Sequence, residues 1–182
     1  MSKVVVTMFL SLDGFIDEPQ NWSFPYWNDE IAKFKTDELL ATDAHLLGRV
    51  TYEGFAAAWP SRSDETGFAD RMNSLPKYVV STTLEKADWN NSTIINANVV
   101  DEISRLKPQY DQDILVAGSA TLVQTLIQND LVDEYRLLVY PIVLGKGKQL
   151  FQAGSDTKLN LVESKQFGEV VLLCYQPDRQ EA

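Results

Sequence analysis

Three short segments carry groups suited to holding a phosphorylated ligand. In residues 114–123 (ILVAGSATLV), an apolar run meets small residues and then becomes an amphipathic pattern. This order predicts a buried strand, a tight turn and a helix. Such a turn brings free backbone N–H groups and a helix N-terminus to one spot, which suits a phosphate.

Two further segments repeat this order of strand and polar residues. Arg49 and Thr51 follow an apolar stretch in residues 47–53 (LGRVTYE), and three hydroxyls end residues 78–83 (YVVSTT). The planar donor set of Arg49 could bind a phosphate, or Arg49 could be a surface arginine in a turn. Ser81, Thr82 and Thr83 could bind a ligand or only cap a turn. Donors at three strand ends favour a dinucleotide site.

Acidic residues are the candidates for proton transfer or substrate binding. Asp29 and Glu30 follow Trp27 at the start of a predicted helix, where they could simply favour the helix dipole. Alternatively, one of them could lie in an aromatic-lined cleft, where partial burial would raise its pKa and favour the acid form. Asp13, before Gly14, could belong to a simple turn or to a loop over an active site.

Other reactive residues favour structural interpretations. His45 is the only histidine and no Gly-x-Ser-x-Gly motif accompanies it, so we expect a strand-end histidine. Cys174, the only cysteine, lies in a strand-like run and is expected to be a buried, inert thiol. One histidine and one cysteine do not make a typical zinc site, and no metal is expected. Residues 145–148 (GKGK) lack the Walker pattern and favour a strand-ending turn.

The bulk composition restricts the possible partners. The chain has 182 residues, which we interpret as a single domain over residues 1–182. A net charge of −10 argues against nucleic acid, but it allows a small anionic ligand. We find no signal peptide, and no apolar segment reaches the roughly 20 residues that a membrane span requires. A cytoplasmic protein with a small-molecule substrate is therefore expected.

Strand and helix patterns alternate through the first two thirds of the chain. Strands are predicted at residues 3–10, 44–47, 77–80, 93–95, 113–117, 133–143, 158–163 and 170–176, and helices at 28–42, 51–58, 68–73, 99–106 and 120–128. The alternation predicts an α/β fold with a mainly parallel sheet, and the strand-rich tail predicts antiparallel strands at one edge.

Taken together, these motifs resemble the dihydrofolate reductase superfamily. Residues 11–14 (SLDG), 47–53, 79–83 and 116–123 carry this resemblance, which covers residues 3 to 176. Residues 131–134 (LVDE), 141–147 (PIVLGKG) and 150–151 (LF) resemble the branch named for the C-terminal reductase domain of the riboflavin-biosynthesis enzyme. The resemblance implies a three-layer α/β fold with NADPH across the strand ends.

The resemblance also implies roles for individual residues. The residues matched to cofactor binding are Arg49, Val50, Thr51, Ser81, Thr82, Ala117, Gly118, Ser119, Ala120 and Thr121. Ser119 stands where dihydrofolate reductase has a second glycine. Glu30 matches the folate-binding carboxylate, with Asp29 one residue away. Asp13 and the aromatic loop at residues 22–27 would form the substrate side, with Trp27 and Tyr52 as contacts.

The expected activity is NADPH-dependent reduction of a small heterocyclic compound. The substrate implied is similar to 5-amino-6-(5-phosphoribosylamino)uracil, and the alternatives are a dihydrofolate-like pteridine or NADPH binding without turnover. The family commonly forms homodimers, and the apolar residues 135–143 could contribute an interface or be buried within one chain.

Overall fold

The computed structural model describes residues 2–179 of the chain. The strands are β1 (Val4–Ser11), β2 (Thr42–Gly48), β3 (Lys77–Val80), β4 (Ser92–Ile95), β5 (Asp113–Ala117), β6 (Glu134–Tyr140), β7 (Leu159–Phe167) and β8 (Val170–Pro177). The α-helices are α1 (Asp29–Leu40), α2 (Arg49–Ala58), α3 (Phe68–Ser74), α4 (Val99–Leu106) and α5 (Ala120–Gln128). Short 3-10 turns lie at Pro19–Asn21, Phe24–Tyr26 and Lys107–Gln109.

The eight strands form one sheet in the order β4-β3-β2-β5-β1-β6-β8-β7. The first six are mutually parallel, whereas β8 is antiparallel to both β6 and β7. This confirms the predicted mixed, mainly parallel sheet with antiparallel C-terminal strands. Because six strands share one direction, their carboxyl ends meet at a single edge of the sheet.

Helices cover both faces of the sheet and make three layers. On one face, α4 and α5 bury Ile103, Leu122 and Leu126 against alternate residues of β1 such as Val4 and Val6. On the other face, α1, α2 and α3 contribute residues to two further apolar clusters. Since β1 is covered on both faces, nearly every one of its residues is buried, which explains its continuous apolar sequence.

Some boundaries differ from those predicted. Strand β6 ends at Tyr140 rather than residue 143, and an irregular segment follows it. Strand β7 extends to Phe167, four residues beyond the predicted end. Its second half is polar and exposed at the sheet edge, so the sequence there lacks the apolar pattern that predicts a strand. None of the helices between residues 2 and 179 is long and apolar enough to cross a membrane.

Candidate functional site

A cavity of about 740 Å³ opens at the edge where the parallel strands end. It brings together nine of the ten residues matched to cofactor binding, namely Arg49, Val50, Thr51, Ser81, Thr82, Gly118, Ser119, Ala120 and Thr121. The tenth, Ala117, is the last residue of β5 and lies directly before the cavity-lining turn. Segments far apart in sequence therefore meet around one space.

Three of the helices within residues 2–179 begin at this cavity, and none of these three has a side-chain cap on its first turn. The N-cap residues are Gly48 for α2, Asn98 for α4 and Ser119 for α5, and none accepts a hydrogen bond from its helix through a side chain. Their free N–H groups and helix dipoles favour negative charge at this edge. A ligand with several phosphates would satisfy more than one of them.

The starts of α2 and α5 are joined by hydrogen bonds. The Ser119 backbone N–H donates to Thr51 Oγ1 at 3.0 Å, and the Gly48 N–H donates to Ser119 Oγ at 2.9 Å. Ser119 Oγ in turn donates to the Ala117 carbonyl at 3.1 Å. The hydroxyls of Thr51 and Ser119 thus hold the two helix starts in register, and the backbone N–H groups remain the main source of donors.

The turn before α5 has a left-handed backbone at two consecutive positions. Gly118 has φ of 57° and Ser119 has φ of 60°. A Cβ atom on Gly118 would lie 3.0 Å from Thr51 Oγ1, so only glycine allows this close approach without a shift. Ser119 adopts the left-handed conformation that glycine favours. Its Oγ accepts from the Gly48 N–H and donates to the Ala117 carbonyl, and these hydrogen bonds help to hold serine at this position, where dihydrofolate reductase has glycine.

Arg49 provides a positive charge at one end of the cavity. Its Nη1 donates to Glu53 Oε2 at 2.9 Å, one turn further along α2, and both side chains are about half exposed. Ser81 and Thr82 are the hydroxyls of residues 78–83 that are matched to cofactor binding, and Ser81 is buried and accepts from the Leu84 N–H at 3.0 Å. Thr82 is exposed on the cavity wall. Arg49 and Thr82 are therefore the side chains best placed for a ligand there.

The opposite end of the cavity is formed by two loops held together by carboxylates. Asp13 accepts from Ser11 Oγ at 2.6 Å and from the Gly145 N–H at 2.7 Å. The hydrogen bond from Ser11 is the main reason that the pKa of Asp13 is lowered. Asp17 accepts from the Lys148 N–H at 2.5 Å, and both residues line the cavity. Asp13 itself does not line the cavity, and its hydrogen bonds connect the two loops.

The remaining predicted residues lie away from the cavity. Asp29 and Glu30 are exposed in the first turn of α1, which Asn28 caps by accepting from the Ile31 N–H at 3.0 Å. Trp27, at 46% exposure, does not line the cavity either. Tyr52 is buried, and its hydroxyl accepts from the backbone N–H of Trp89 at 3.0 Å, so the structure gives it a packing role.

The aromatic loop at residues 22–27 is partly core. Trp22 is buried against Tyr140 with ring centroids 5.3 Å apart, and Tyr26 and Phe9 also contact Tyr140. The Nε1 of Trp22 donates to the carbonyl of Asp17, a cavity-lining residue, at 2.9 Å, and this hydrogen bond fixes the loop beside the cavity. The aromatic loop therefore holds the cavity-lining residue Asp17 in place and does not itself line the cavity.

Sequence reasoning missed several residues at the cavity. Lys148, Asn96 and Gln20 line it. Lys148 and Asn96 lie in loops, and Gln20 lies in the 3-10 turn Pro19–Asn21. For Lys148 the sequence carries a signal, because residues 145–148 (GKGK) place two lysines in the predicted strand-ending turn. Asn96 and Gln20 have no distinguishing pattern, since only the folded loops bring them to the edge.

Comparison with known proteins agrees with this architecture. Residues 2–173 match the family model of the RibD C-terminal domain. The uncharacterized proteins YyaP and YwjB of Bacillus subtilis are 33% and 32% identical over 178 and 180 residues. These alignments cover 95% of this chain in each case, and 94% and 97% of the two relatives.

Solved structures show the same fold. A protein from Shewanella sp. PV-4, named for riboflavin biosynthesis, has a TM-score of 0.78 at 22% identity, covering 97% of this chain and 99% of its own. Riboflavin biosynthesis reductase Rib7 of Saccharomyces cerevisiae has a TM-score of 0.61 at 17% identity, and the match covers 97% of this chain and 90% of Rib7. Dihydrofolate reductase of Enterococcus faecalis, solved with NADP(H), has a TM-score of 0.59 at 16% identity, and the match covers 97% of this chain and 96% of the reductase. The fold is that of dihydrofolate reductase, and the chain belongs to the RibD C-terminal domain family.

Proposed function

We propose that this protein is an NADPH-dependent reductase of a small heterocyclic substrate. The observation that supports this most directly is the junction of α2 and α5 at the cavity. There, two uncapped helix starts lie side by side and Gly118 approaches Thr51 closely. This arrangement suits a pyrophosphate, because both helix starts line the same cavity with free backbone N–H groups, and glycine at position 118 allows them to lie close together.

In this proposal the protein binds and orients the cofactor, which supplies the hydride. The turn at Gly118 and the start of α5 hold the pyrophosphate, while Arg49 and Thr82 take the 2′-phosphate that distinguishes NADPH from NADH. Met8 and Ile16, which line the cavity near the end of β1, provide an apolar wall that excludes water. Asp17 and Lys148 close the same end through their hydrogen bond.

The substrate proposed is similar to 5-amino-6-(5-phosphoribosylamino)uracil. Membership of the RibD C-terminal domain family and the higher TM-score of the Shewanella protein support it over a dihydrofolate-like pteridine. Glu30 or Asp29 would orient the substrate or help to protonate it. Their exposed positions outside the cavity favour the competing proposal, a protein that binds NADPH without turnover.

Two measurements separate these proposals. Saturating NADPH at about 100 times its Kd should stabilise the protein by about 2.7 kcal/mol in thermal unfolding. A reductase then consumes NADPH when pterins or aminouracils are added, and the reduced product appears in equal amount. Binding with no consumption across this panel supports the protein without turnover. No stabilisation by saturating NADPH would overturn both proposals.

We also propose that the chain forms homodimers, as the family resemblance implies. The apolar residues 135–143 do not offer a free edge, because β6 lies between β1 and β8 within one chain. The edge strand β7 instead exposes Leu161 and Val162 at 56% each. Light scattering during size-exclusion chromatography gives the mass, and a monomer at all concentrations would contradict the dimer.

A further inference from the structure

Two positive side chains line the cavity in the part of the chain that the structure describes, namely Arg49 and Lys148. Arg49 follows β2, whereas Lys148 lies in the segment after β6, with the ends of β5 and β1 between them in the sheet. A phosphate bound among the ends of β2, β3 and β4 therefore depends on Arg49 for opposite charge. The other donors there are hydroxyls and backbone N–H groups.

The charge of Arg49 is opposed by a partner one turn along its own helix. Glu53 Oε2 accepts from Arg49 Nη1 at 2.9 Å, and Glu53 itself does not line the cavity. The two side chains are 43% and 48% exposed, so neither is locked by packing. Glu53 thus reduces the positive potential at the cavity end and competes with a phosphate for the guanidinium.

This ion pair is expected to stabilise the fold only slightly. Exposed ion pairs at i and i+4 on a helix contribute little to folding, because solvent and salt screen them. The same pair sits beside a site for a multiply charged group, where one additional negative charge acts directly on binding. The consequence of removing Glu53 should therefore appear in ligand binding rather than in unfolding.

Resting on the proposed function, we propose that Glu53 lowers the preference for NADPH over NADH by holding the Arg49 guanidinium. Glu53 acts as a positioning residue. Its charge weakens the attraction of Arg49 for a 2′-phosphate, and it has little effect on a cofactor that lacks this group. The ion pair between Arg49 and Glu53 therefore lowers the selectivity for NADPH over NADH.

The test is calorimetric titration of NADPH and NADH into four forms of the full chain at low salt. These are wild type, Glu53→Gln, Arg49→Ala and the double variant. Glu53→Gln should bind NADPH roughly three- to tenfold more tightly and NADH as the wild type does, since one nearby charge has been neutralised. Added salt should shrink this gain. In the Arg49→Ala background the gain should largely disappear, because Glu53 acts through Arg49.

Asp37→Asn is the matched control. Asp37 pairs with Lys33 at i and i+4 on α1 at 2.5 Å, is exposed and does not line the cavity, and its substitution changes the net charge equally. It should leave both affinities unchanged, and thermal unfolding should show that each variant is folded.

Three results overturn the inference. In the first, Glu53→Gln leaves NADPH affinity unchanged or weakens it while the wild type still binds NADPH. In the second, the gain is equal for both cofactors or equal in the Arg49→Ala background. In the third, the wild type binds neither cofactor, which overturns the proposed function as well and is thereby distinguished from the other two.

Discussion

Individual residues at the cavity differ in whether their side chains remain available to a ligand. Ser119 and Thr51 use their hydroxyls to join α2 to α5, and Ser81 accepts hydrogen bonds within its own turn. Arg49 and Thr82 remain exposed on the wall. Sequence motifs identify all five positions equally, but only the folded structure separates the hydroxyls that are used within the protein from the side chains that stay exposed on the cavity wall.

Arg49→Ala tests the end of the cavity that Arg49 occupies. If the guanidinium meets the 2′-phosphate, this change should weaken NADPH at least tenfold and NADH much less, as loss of a charge-assisted hydrogen bond does. Titration of both cofactors measures the difference. Equal weakening would place Arg49 at the pyrophosphate, and no weakening would make it a surface residue of the turn.

Gly118→Ala tests the close approach between the two helix starts. The added Cβ would lie 3.0 Å from Thr51 Oγ1, on a backbone with φ of 57°. We expect a loss of about 1–2 kcal/mol in the free energy of unfolding, together with weaker NADPH binding. Gly54→Ala, inside α2 with open space around the new methyl group, should instead raise stability by up to about 1 kcal/mol. Denaturant unfolding compares them, and similar effects of both changes would contradict the explanation.

At the scale of elements, the order of strands and helices could be predicted because buried parallel strands have distinctive apolar runs. Residues 113–117 show this best, since Ile114, Leu115 and Val116 are all buried. The exposed part of β7, which includes Glu163 and Lys165, has no such pattern. The positions of Lys148 and Asn96 could not be predicted either, because they depend on how loops fold against each other.

Asp13 links two elements, and its role in holding them can be measured. Asp13→Ala removes the acceptor of the Leu144 and Gly145 N–H groups. Hydrogen exchange should therefore quicken in residues 142–150, while Asp70→Ala, an exposed change on α3, should leave this segment unchanged. Protection that persists in Asp13→Ala would show that the segment is held by other contacts, such as the bridge between Phe15 and Gln149. Asp13 would then be free for the catalytic role that its motif suggested.

At the scale of the whole molecule, the cavity lies at one edge of the sheet, and a buried histidine lies inside the layers. His45, on β2, is 2% exposed. Burial, followed by the nearby charge of Lys77, lowers the pKa of His45 from 6.5 to about 3. The imidazole is therefore neutral in the folded protein at neutral pH. His45 is a buried core residue in the middle of β2, and its predicted position at a strand end is wrong.

This neutral histidine makes the whole fold sensitive to mild acid. Between pH 6.5 and about 3, the unfolded chain binds a proton at His45 that the folded chain does not, so the free energy of unfolding falls as the pH falls. His45→Leu removes this difference, and its Tm should fall less steeply than that of the wild type from about pH 7 to about pH 5. The lowered pKa of Asp133 does not mask the effect, because that carboxylate titrates below its usual 3.8. Calorimetric scans across this range measure both slopes, and parallel slopes would show that His45 gains its proton without unfolding.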